Sequence, residues 1–383
     1  MQYREMPKSQ DRLSVLGFGC MRFPTLADGK IDEAKALEML HHAFENKVNY
    51  FDTAWPYHNE ESEPLLGKFL AQIDRSKVYV ATKLPCWLIQ SHEDMDKYLD
   101  LQLQRLGTSY IDYYLLHALG KKSWANMKKL KVFEFLERAR AAGKIRHIGF
   151  SFHDSYSVFK QICLSYDWDF CQIMLNYLDT HYQAGIRGFE LAVSRGMGVI
   201  AMEPLRGGKL ISPIPPEIAK IWQREDPEGD QVARATRWIW NLEGATVLLS
   251  GMSNQAQLKQ NLLLSKSAKA NCLSEKDLKV YKRIRREYIK RIPILCSECR
   301  YCLPCPFGVA IPSNFGVYNE AVMFSDPDRH RKEYQWFVPE AGRADKCTQC
   351  GACLPKCPHH IEIPTELRKV AEFFKAAPDE QKV

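Results

Sequence analysis

Two dense cysteine runs near the C-terminus limit what those segments can form more tightly than any other feature of the chain. The first reads Cys296-Ser-Glu-Cys299-Arg-Tyr-Cys302-Leu-Pro-Cys305-Pro306, and the second Cys347-Thr-Gln-Cys350-Gly-Ala-Cys353-Leu-Pro-Lys-Cys357-Pro358. Two sets of four thiolates is the ligand count of two cubane 4Fe–4S clusters. Three cysteines at C-x2-C-x2-C wrap three corners of a cubane, and in two-cluster ferredoxins the fourth comes from the other run. The expected sets are therefore Cys296, Cys299, Cys302 and Cys357 for one cluster, and Cys347, Cys350, Cys353 and Cys305 for the other. The first run has two residues before its last cysteine where the bacterial pattern has three, so Cys305 is the least regular of the eight.

The competing assignments are weaker. Structural zinc usually draws paired C-x-x-C knuckles from separated segments, whereas here four cysteines and a proline crowd together twice. A disulfide framework needs an oxidising compartment. The chain opens Met1-Gln-Tyr-Arg-Glu5 with no apolar leader and carries no stretch long enough to cross a bilayer, so the expectation is a reduced, cytoplasmic protein without membrane association.

At 383 residues and 45% hydrophobic content the chain should bury full cores in two or three domains. A formal charge of +7 is modest, and no basic stripe interleaved with aromatics marks a nucleic-acid binder. Basic residues concentrate between Lys276 and Arg291. There Leu278, Tyr281, Ile284 and Tyr288 fall at helical spacing behind Ser274 as a cap, with Asp277 three residues on. Lys276, Lys279, Lys282, Arg283, Arg286 and Lys290 line the other face. Such a face is ordinarily solvated; the sharper reading is a docking patch for an acidic carrier such as ferredoxin.

Upstream of that helix, short apolar runs alternate with amphipathic stretches. The strand-like runs are Leu16–Cys20, Asn49–Asp52, Val78–Lys83, Ile111–His117, Ile145–Phe150, Phe170–Leu175, Gly198–Met202 and Ala245–Ser250. Their continuous apolar character suits strands covered on both sides. Helical stretches include Ile31 to Asn46, with Ala34, Leu37, Leu40 and Ala43 on one stripe, and Asp94 to Leu106, with Met95, Leu99, Leu103 and Leu106. Eight β/α units in roughly 250 residues is the count of a (β/α)8 TIM barrel, an α/β fold. A doubly wound sheet would need a Gly-rich phosphate turn, which Gly17-Phe-Gly19 does not supply. Met1 to Leu13 reads as a hairpin for the barrel floor, and Ala376 to Val383 as a frayed tail. The expected division is a barrel over 1–270, a basic helical connector over 271–292 and a ferredoxin-like iron–sulfur domain over 293–383.

Barrel chemistry sits where strands end on the C-terminal face. Asp52, Lys83 and His117 close strands two, three and four, and Tyr57 follows Asp52 in the next loop. An unpaired ammonium closing a buried strand is costly, and Asp52 is its natural partner. A phenol of pKa about 10 is a weak acid; a lysine ammonium beside Tyr57 should lower that value, while Asp52 holds the lysine. His117 can orient a carbonyl oxygen. The four make a proton-donor site for the alkoxide formed when hydride reaches a carbonyl carbon.

These residues resemble the aldo-keto reductase family over residues about 12 to 265. Phe51-Asp52-Thr53-Ala54 with Tyr57, then Thr82-Lys83, then Leu115-Leu116-His117 match that family's tetrad in order and context. The whole chain is similar to the subgroup carrying a C-terminal ferredoxin-like domain with two 4Fe–4S clusters, in which Leu249-Ser-Gly-Met-Ser253 also recurs. The resemblance implies an oxidoreductase using NADPH or NADH on a small carbonyl or alcohol. It places the nicotinamide at Gln172 and Ser151, and the pyrophosphate under the loop Glu203, Pro204, Leu205, Arg206, Gly207, Gly208, Lys209. It assigns the adenosine phosphate to Gly251, Ser253, Asn254, Gln257 and Asn261, where backbone amides at a helix start suit an anion.

Two departures from the family stand out: Met202 occupies the place of a stacking tyrosine, and Ser253-Asn254 supply no basic partner for a 2′-phosphate. Lys259 and Arg206 are the substitutes in sequence reach. NADH, or FMN at the phosphate site, stays open. Trp55, Trp87 and Trp124 lie in loops on the active face and suggest an apolar or sugar-like substrate, or packing. Cys20 and Cys86 read as buried hydrophobes.

Hydride transfer moves two electrons together and a cubane passes one; a flavin connects the two regimes and nicotinamide does not. Three functions compete on this scaffold. They are a nicotinamide-dependent carbonyl reductase with Tyr57 as acid/base, a ferredoxin-linked flavoenzyme, and a redox-sensing binding protein.

Overall fold

The structure, a computed structural model, describes residues 1–375. The tail expected over Ala376 to Val383 lies outside the described residues.

A short antiparallel hairpin comes first, β1 (Tyr3–Glu5) with β2 (Arg12–Ser14). Eight parallel strands follow: β3 (Leu16–Gly19), β4 (Tyr50–Asp52), β5 (Tyr79–Leu84), β6 (Ile111–Leu119), β7 (Ile145–Phe152), β8 (Phe170–Met174), β9 (Gly198–Met202) and β10 (Ala245–Ser250). They hydrogen-bond in chain order and close where β10 pairs with β3, giving a barrel with helices in the crossovers. Each strand falls on one of the apolar runs of the sequence, because a strand covered by helices outside and by side chains inside has no wet face.

The barrel floor is filled from below. Met6, from the hairpin, packs with Leu13, Tyr50, Ala81, Tyr113, Leu115, Phe170, Ile200, Val247 and Leu249 in one buried cluster. Gly198 makes room for it: a Cβ there would come within 1.9 Å of the Met6 sulfur. Gly149 does the same for the Phe170 ring, 2.5 Å from where its Cβ would be.

Two helical stripes differ in detail from the sequence expectation. The first helix is Glu33–Glu45 and buries Ala36, Met39, Leu40 and Ala43, while Ala34 is exposed. The helix His92–Leu106 opens on a Ser91–Asp94 capping box and buries Met95, Leu99, Leu106 and, in place of Leu103, the polar Gln102. In both, the buried stripe is rotated slightly from the one read by hydrophobicity alone, since contact with the neighbouring strands chooses the face.

The chain packs into two units. The first comprises Met1–Gly207 with Asp230–Glu275; the second comprises Gly208–Gly229 and the chain from Lys276 onward. The short segment Gly208–Gly229 thus groups with the C-terminal unit although it lies within 1–270. Its helix Pro216–Glu225 buries Ile218, Ile221 and Trp222, and the Trp222 ring meets Tyr281 edge-on at 5.3 Å. Tyr281 lies on the basic helix, Glu275–Lys290, which also buries Ile284 and Tyr288.

Further along the second unit, helices Ile311–Phe324, Pro327–Phe337 and Ile363–Lys375 flank the cysteine loops. Their core joins Ile294, Val309, Ile311, Phe315, Tyr334, Val338, Leu367 and Val370 with Cys302 and Cys357. Buried Asn314 ties it together, donating to the carbonyls of Ala310 at 2.9 Å and Gly342 at 2.8 Å.

Candidate active site

One periodicity sets the site. Side chains along a strand alternate faces, so the residue two beyond an interior one also points inward, nearer the strand's end. Interior Tyr50, Ala81, Leu115, Phe170 and Ile200 are followed at that spacing by Asp52, Lys83, His117, Gln172 and Met202. Register does the rest: Asp52 stands beside Ala81 on β5, so Lys83 rises just above it.

Lys83 is fully buried and saturated with oxygen partners. Its Nζ donates to Asp52 Oδ1 at 2.6 Å, to the Thr53 carbonyl at 2.7 Å and toward the Tyr57 hydroxyl at 3.5 Å. Burial alone would pull its pKa down, but Asp52 and Tyr57 outweigh that and hold it above the ordinary lysine value. Burial raises the Asp52 carboxyl, against the pull of Lys83. Tyr57 corrects the electrostatic expectation: burial raises the phenol more than the Lys83 charge lowers it, so the net shift is upward. The His117 ring stands edge-on to Tyr57 with centroids 6.2 Å apart. Its pKa is pushed well below the usual value by burial, with Lys83 and His153 adding to the effect, which leaves a neutral imidazole.

A polar network missed by sequence reading backs the lysine. Gln102 donates to the Lys83 carbonyl at 3.0 Å and to Glu63 Oε1 at 2.7 Å, and receives the Tyr114 hydroxyl at 2.9 Å. Thr82 donates to the same Glu63 oxygen at 2.6 Å. A glutamine in a helical stripe carries no signal of this kind; only its burial among strand-end polar groups does.

Ser151 is engaged at the strand ends: its Oγ accepts the Ala118 amide at 2.7 Å, where the β6–β7 register shifts and Ala118 takes a positive φ of 51°. Ser151 therefore shapes the turn that carries His117. Gln172 leaves its Oε1 buried without a protein partner, and so does His117 at Nδ1. Buried polar atoms are ordinarily paired, so these two are exceptions within the site. The Gln172 amide lies 3.8 Å from the Met202 sulfur.

The outer loops divide. Pro204 is buried and Leu205 half-buried. Arg206 is engaged by Asp179 at 2.9 Å, and Gly208 belongs to the second unit, with φ 96° and Arg329 close by. After β10, Asn254 caps the helix Gln255–Ser265 by accepting the Gln257 amide at 3.0 Å, while Gln257 Oε1 accepts the Ser253 amide at 2.8 Å. Asn261 donates to Ser250 at 2.8 Å and ties that helix to β10. Gly251 is exposed, and Arg22 lies against it: a Cβ on Gly251 would sit 3.1 Å from Arg22 Cδ. Arg22 is the basic residue that sequence reading did not find here, since it is distant in the chain.

Of the three tryptophans expected in loops, Trp124 instead lies within the helix Lys121–Lys129, and only Trp87 faces the site, half-exposed with its ring 5.1 Å from His117. Trp55 is buried against Tyr98 under Arg105, and Trp124 is buried near Phe133 and Trp168. Cys20 and Cys86 are buried, and burial pushes the Cys86 thiol up to about 12.

In the second unit the cysteines gather around two cavities. Cys296, Cys299, Cys302 and Cys357 line one, with Pro312, Phe315 and Ile363. Cys305, Cys347, Cys350 and Cys353 line the other, with Phe307, Ile311 and Leu367. The runs thus exchange their last cysteines. Four thiols in each apolar-lined cavity fit an iron–sulfur cluster.

The eight-stranded parallel barrel is shared with known proteins. Residues 15–286 match the aldo/keto reductase family, and the chain belongs to that family of oxidoreductases. Residues 295–362 match the 4Fe-4S dicluster domain. L-galactose dehydrogenase of Arabidopsis thaliana is 26% identical over 291 residues, covering 68% of this chain and 87% of that protein. Probable aldo-keto reductase 1 of Glycine max is 30% identical over 152 residues, with 36% of this chain and 41% of that protein aligned, so the match spans under half of its length. Among solved structures, the holo form of an aldo-keto reductase from Bacillus halodurans superposes with TM-score 0.63 at 23% identity, covering 74% of this chain and 96% of its own. An aldo/keto reductase from Klebsiella pneumoniae in complex with NADP and acetate gives 0.61 at 19%, covering 74% and 96%. At such identity these two speak for the fold.

Proposed function

We propose that this protein reduces a small carbonyl compound, or oxidises the corresponding alcohol, with a nicotinamide dinucleotide, and that Tyr57 carries the proton. The observation behind this reading is the fully buried Lys83 ammonium, held by Asp52 and the Thr53 carbonyl and aimed at the Tyr57 hydroxyl. A charge is kept at such a depth only when partners compensate it, and here one partner is a phenol at the barrel's active end.

A bound nicotinamide supplies the hydride. Gln172, with its free Oε1, suits a carboxamide N–H, and Arg22 beside Gly251 suits a phosphate. Neutral His117 donates to the substrate oxygen and sets it near Tyr57. As negative charge grows on that oxygen, the Tyr57 hydroxyl delivers its proton. The phenolate left behind is stabilised by the Lys83 ammonium, whose position costs no reorganisation because Asp52 and Thr53 already hold it. Burial keeps Tyr57 protonated until that moment, which is the form an acid needs. In the oxidative direction Tyr57 must first lose its proton, and the roles reverse.

The two cysteine cavities suit two 4Fe–4S clusters, one held by Cys296, Cys299, Cys302 and Cys357, the other by Cys305, Cys347, Cys350 and Cys353. Such clusters supply one-electron carrier chemistry, which would serve a partner such as ferredoxin.

Tyr57→Phe tests the reading. Turnover with a panel of aldehydes and ketones should fall by about 10²–10⁴-fold, with iron content and circular dichroism unchanged. Undiminished turnover would sink it. Release of stoichiometric flavin from anaerobically purified protein would replace nicotinamide by the flavoenzyme reading.

A further inference from the structure

Within the second unit, away from the cysteines, three potential ligands converge. Glu320 lies on the helix Ile311–Phe324, and His330 and Glu333 lie one turn apart on the helix Pro327–Phe337. One oxygen of each carboxylate and an imidazole nitrogen lie within 4.8 Å of one another. His330 is fully buried, and its ring lies parallel to Phe324. Its Nδ1 stands 2.6 Å from the Asp326 carbonyl, which can only accept, so Nδ1 carries the hydrogen. That leaves Nε2 as the ring atom facing the carboxylates. Nε2 points at Glu320 Oε2 and Glu333 Oε2, 3.6 Å from each, and makes no hydrogen bond.

A fully buried ring nitrogen that faces two carboxylates and makes no hydrogen bond is an exception among buried polar atoms. Lys209 partly answers this: its ammonium donates to Glu320 and, at 2.9 Å, to Glu333. An ammonium satisfies the oxygens and leaves the imidazole nitrogen unused. A divalent ion would engage all three, with twice the charge. Imidazole plus two carboxylates is a donor set for borderline first-row metals. The Nδ1 bond to Asp326 is the outer support that orients a ligating histidine, and Arg329 holds the other oxygen of Glu333 at 3.3 Å. Metal–ligand bonds of about 2.0–2.2 Å need only a small contraction of the present spacing. The Glu320 and Glu333 side chains are 29% and 21% exposed, which gives an ion a way in.

We infer that Glu320, His330 and Glu333 form a binding site for one first-row divalent cation, with Lys209 as the internal counter-ion that yields to it. Mn2+ is the probe, titrated into anaerobically purified full-length protein and followed by the electron paramagnetic resonance signal of free Mn2+. The expected results are one saturable site in the wild type, tightened by about tenfold in Lys209→Met and weakened by about tenfold or more in Glu333→Gln. The bound ion should show nitrogen coupling that disappears in His330→Gln. Iron content and circular dichroism check that the variants fold. No saturable wild-type site would overturn the inference, as would binding seen only in Lys209→Met, which would make the cluster a closed ion pair. Affinity unmoved by Glu333→Gln would overturn it too.

Discussion

The strand ends of the barrel and the cysteine loops of the second unit are built on opposite terms. In the barrel, Asp52 and Lys83 project from neighbouring strands, and Lys83 has an oxygen partner on every side. Gln102 and Glu63 lock the backbone behind it. The cysteines of the first run sit on chain with neither strand nor α-helix, through left-handed residues such as Glu298 at φ 55° and Arg300 at 63°. One of its few local contacts is the Glu298 amide donating to the Cys296 sulfur at 3.4 Å. Cys299 and Cys350 are exposed. A scaffold holds the first site in place before any ligand arrives. The second relies on flanking helices and on whatever its thiols bind, because metal-ligand energy is folding energy in such loops.

Removing one partner from the scaffold should do the most damage. Lys83→Met leaves Asp52 buried without its cation, a change that typically costs about 3–5 kcal/mol. The denaturant midpoint of the barrel should drop accordingly and carbonyl turnover should vanish. A variant of wild-type stability would mean that Asp52 is protonated and the pair is not ionic.

The cysteine loops should respond in units of clusters. Cys357→Ala removes a ligand that the first run borrows from the second. Iron should fall from about eight to about four per chain, with barrel turnover retained. Unchanged iron would refute the exchange of last cysteines between the runs; complete loss would show that the two sites form together.

The smallest effect expected is with pH. His117 has its pKa depressed by burial, so the neutral form persists through mild acid. Tyr57 is raised, so its acid form persists into mild alkali. Carbonyl reduction should then vary by less than about twofold between pH 6 and 8, whereas alcohol oxidation, which needs the phenolate, should climb with pH. A reduction rate that falls below pH 7 as a histidine titrates would break the assignment of His117 as a neutral donor.

Strand runs and the tetrad were legible because each is a local pattern. Eight unbroken apolar runs cannot be solvated on either face, and the polar residues Asp52, Lys83 and His117 that close three of them stand out against that pattern. The cysteine runs were legible for a similar reason, since ligand spacing along a loop is read directly from sequence. Gln102, Glu63 and Arg22 were not legible. Their roles come from what lies across the fold: the Lys83 carbonyl for Gln102, Gly251 for Arg22. Trp55, Trp87 and Trp124 look alike in sequence, and only packing separated the one that faces His117.

The sequence by itself determined the barrel, the eight thiols and the order of the tetrad, because period, apolar length and ligand spacing are properties of short segments. Tertiary structure alone decided the placing of Gly208–Gly229 with the C-terminal unit, the meeting of Lys209 with Glu320, His330 and Glu333, and the direction of the Tyr57 shift. Each depends on how many atoms surround a group and which charges come near it, and those are quantities that no stretch of sequence contains until the chain has closed on itself.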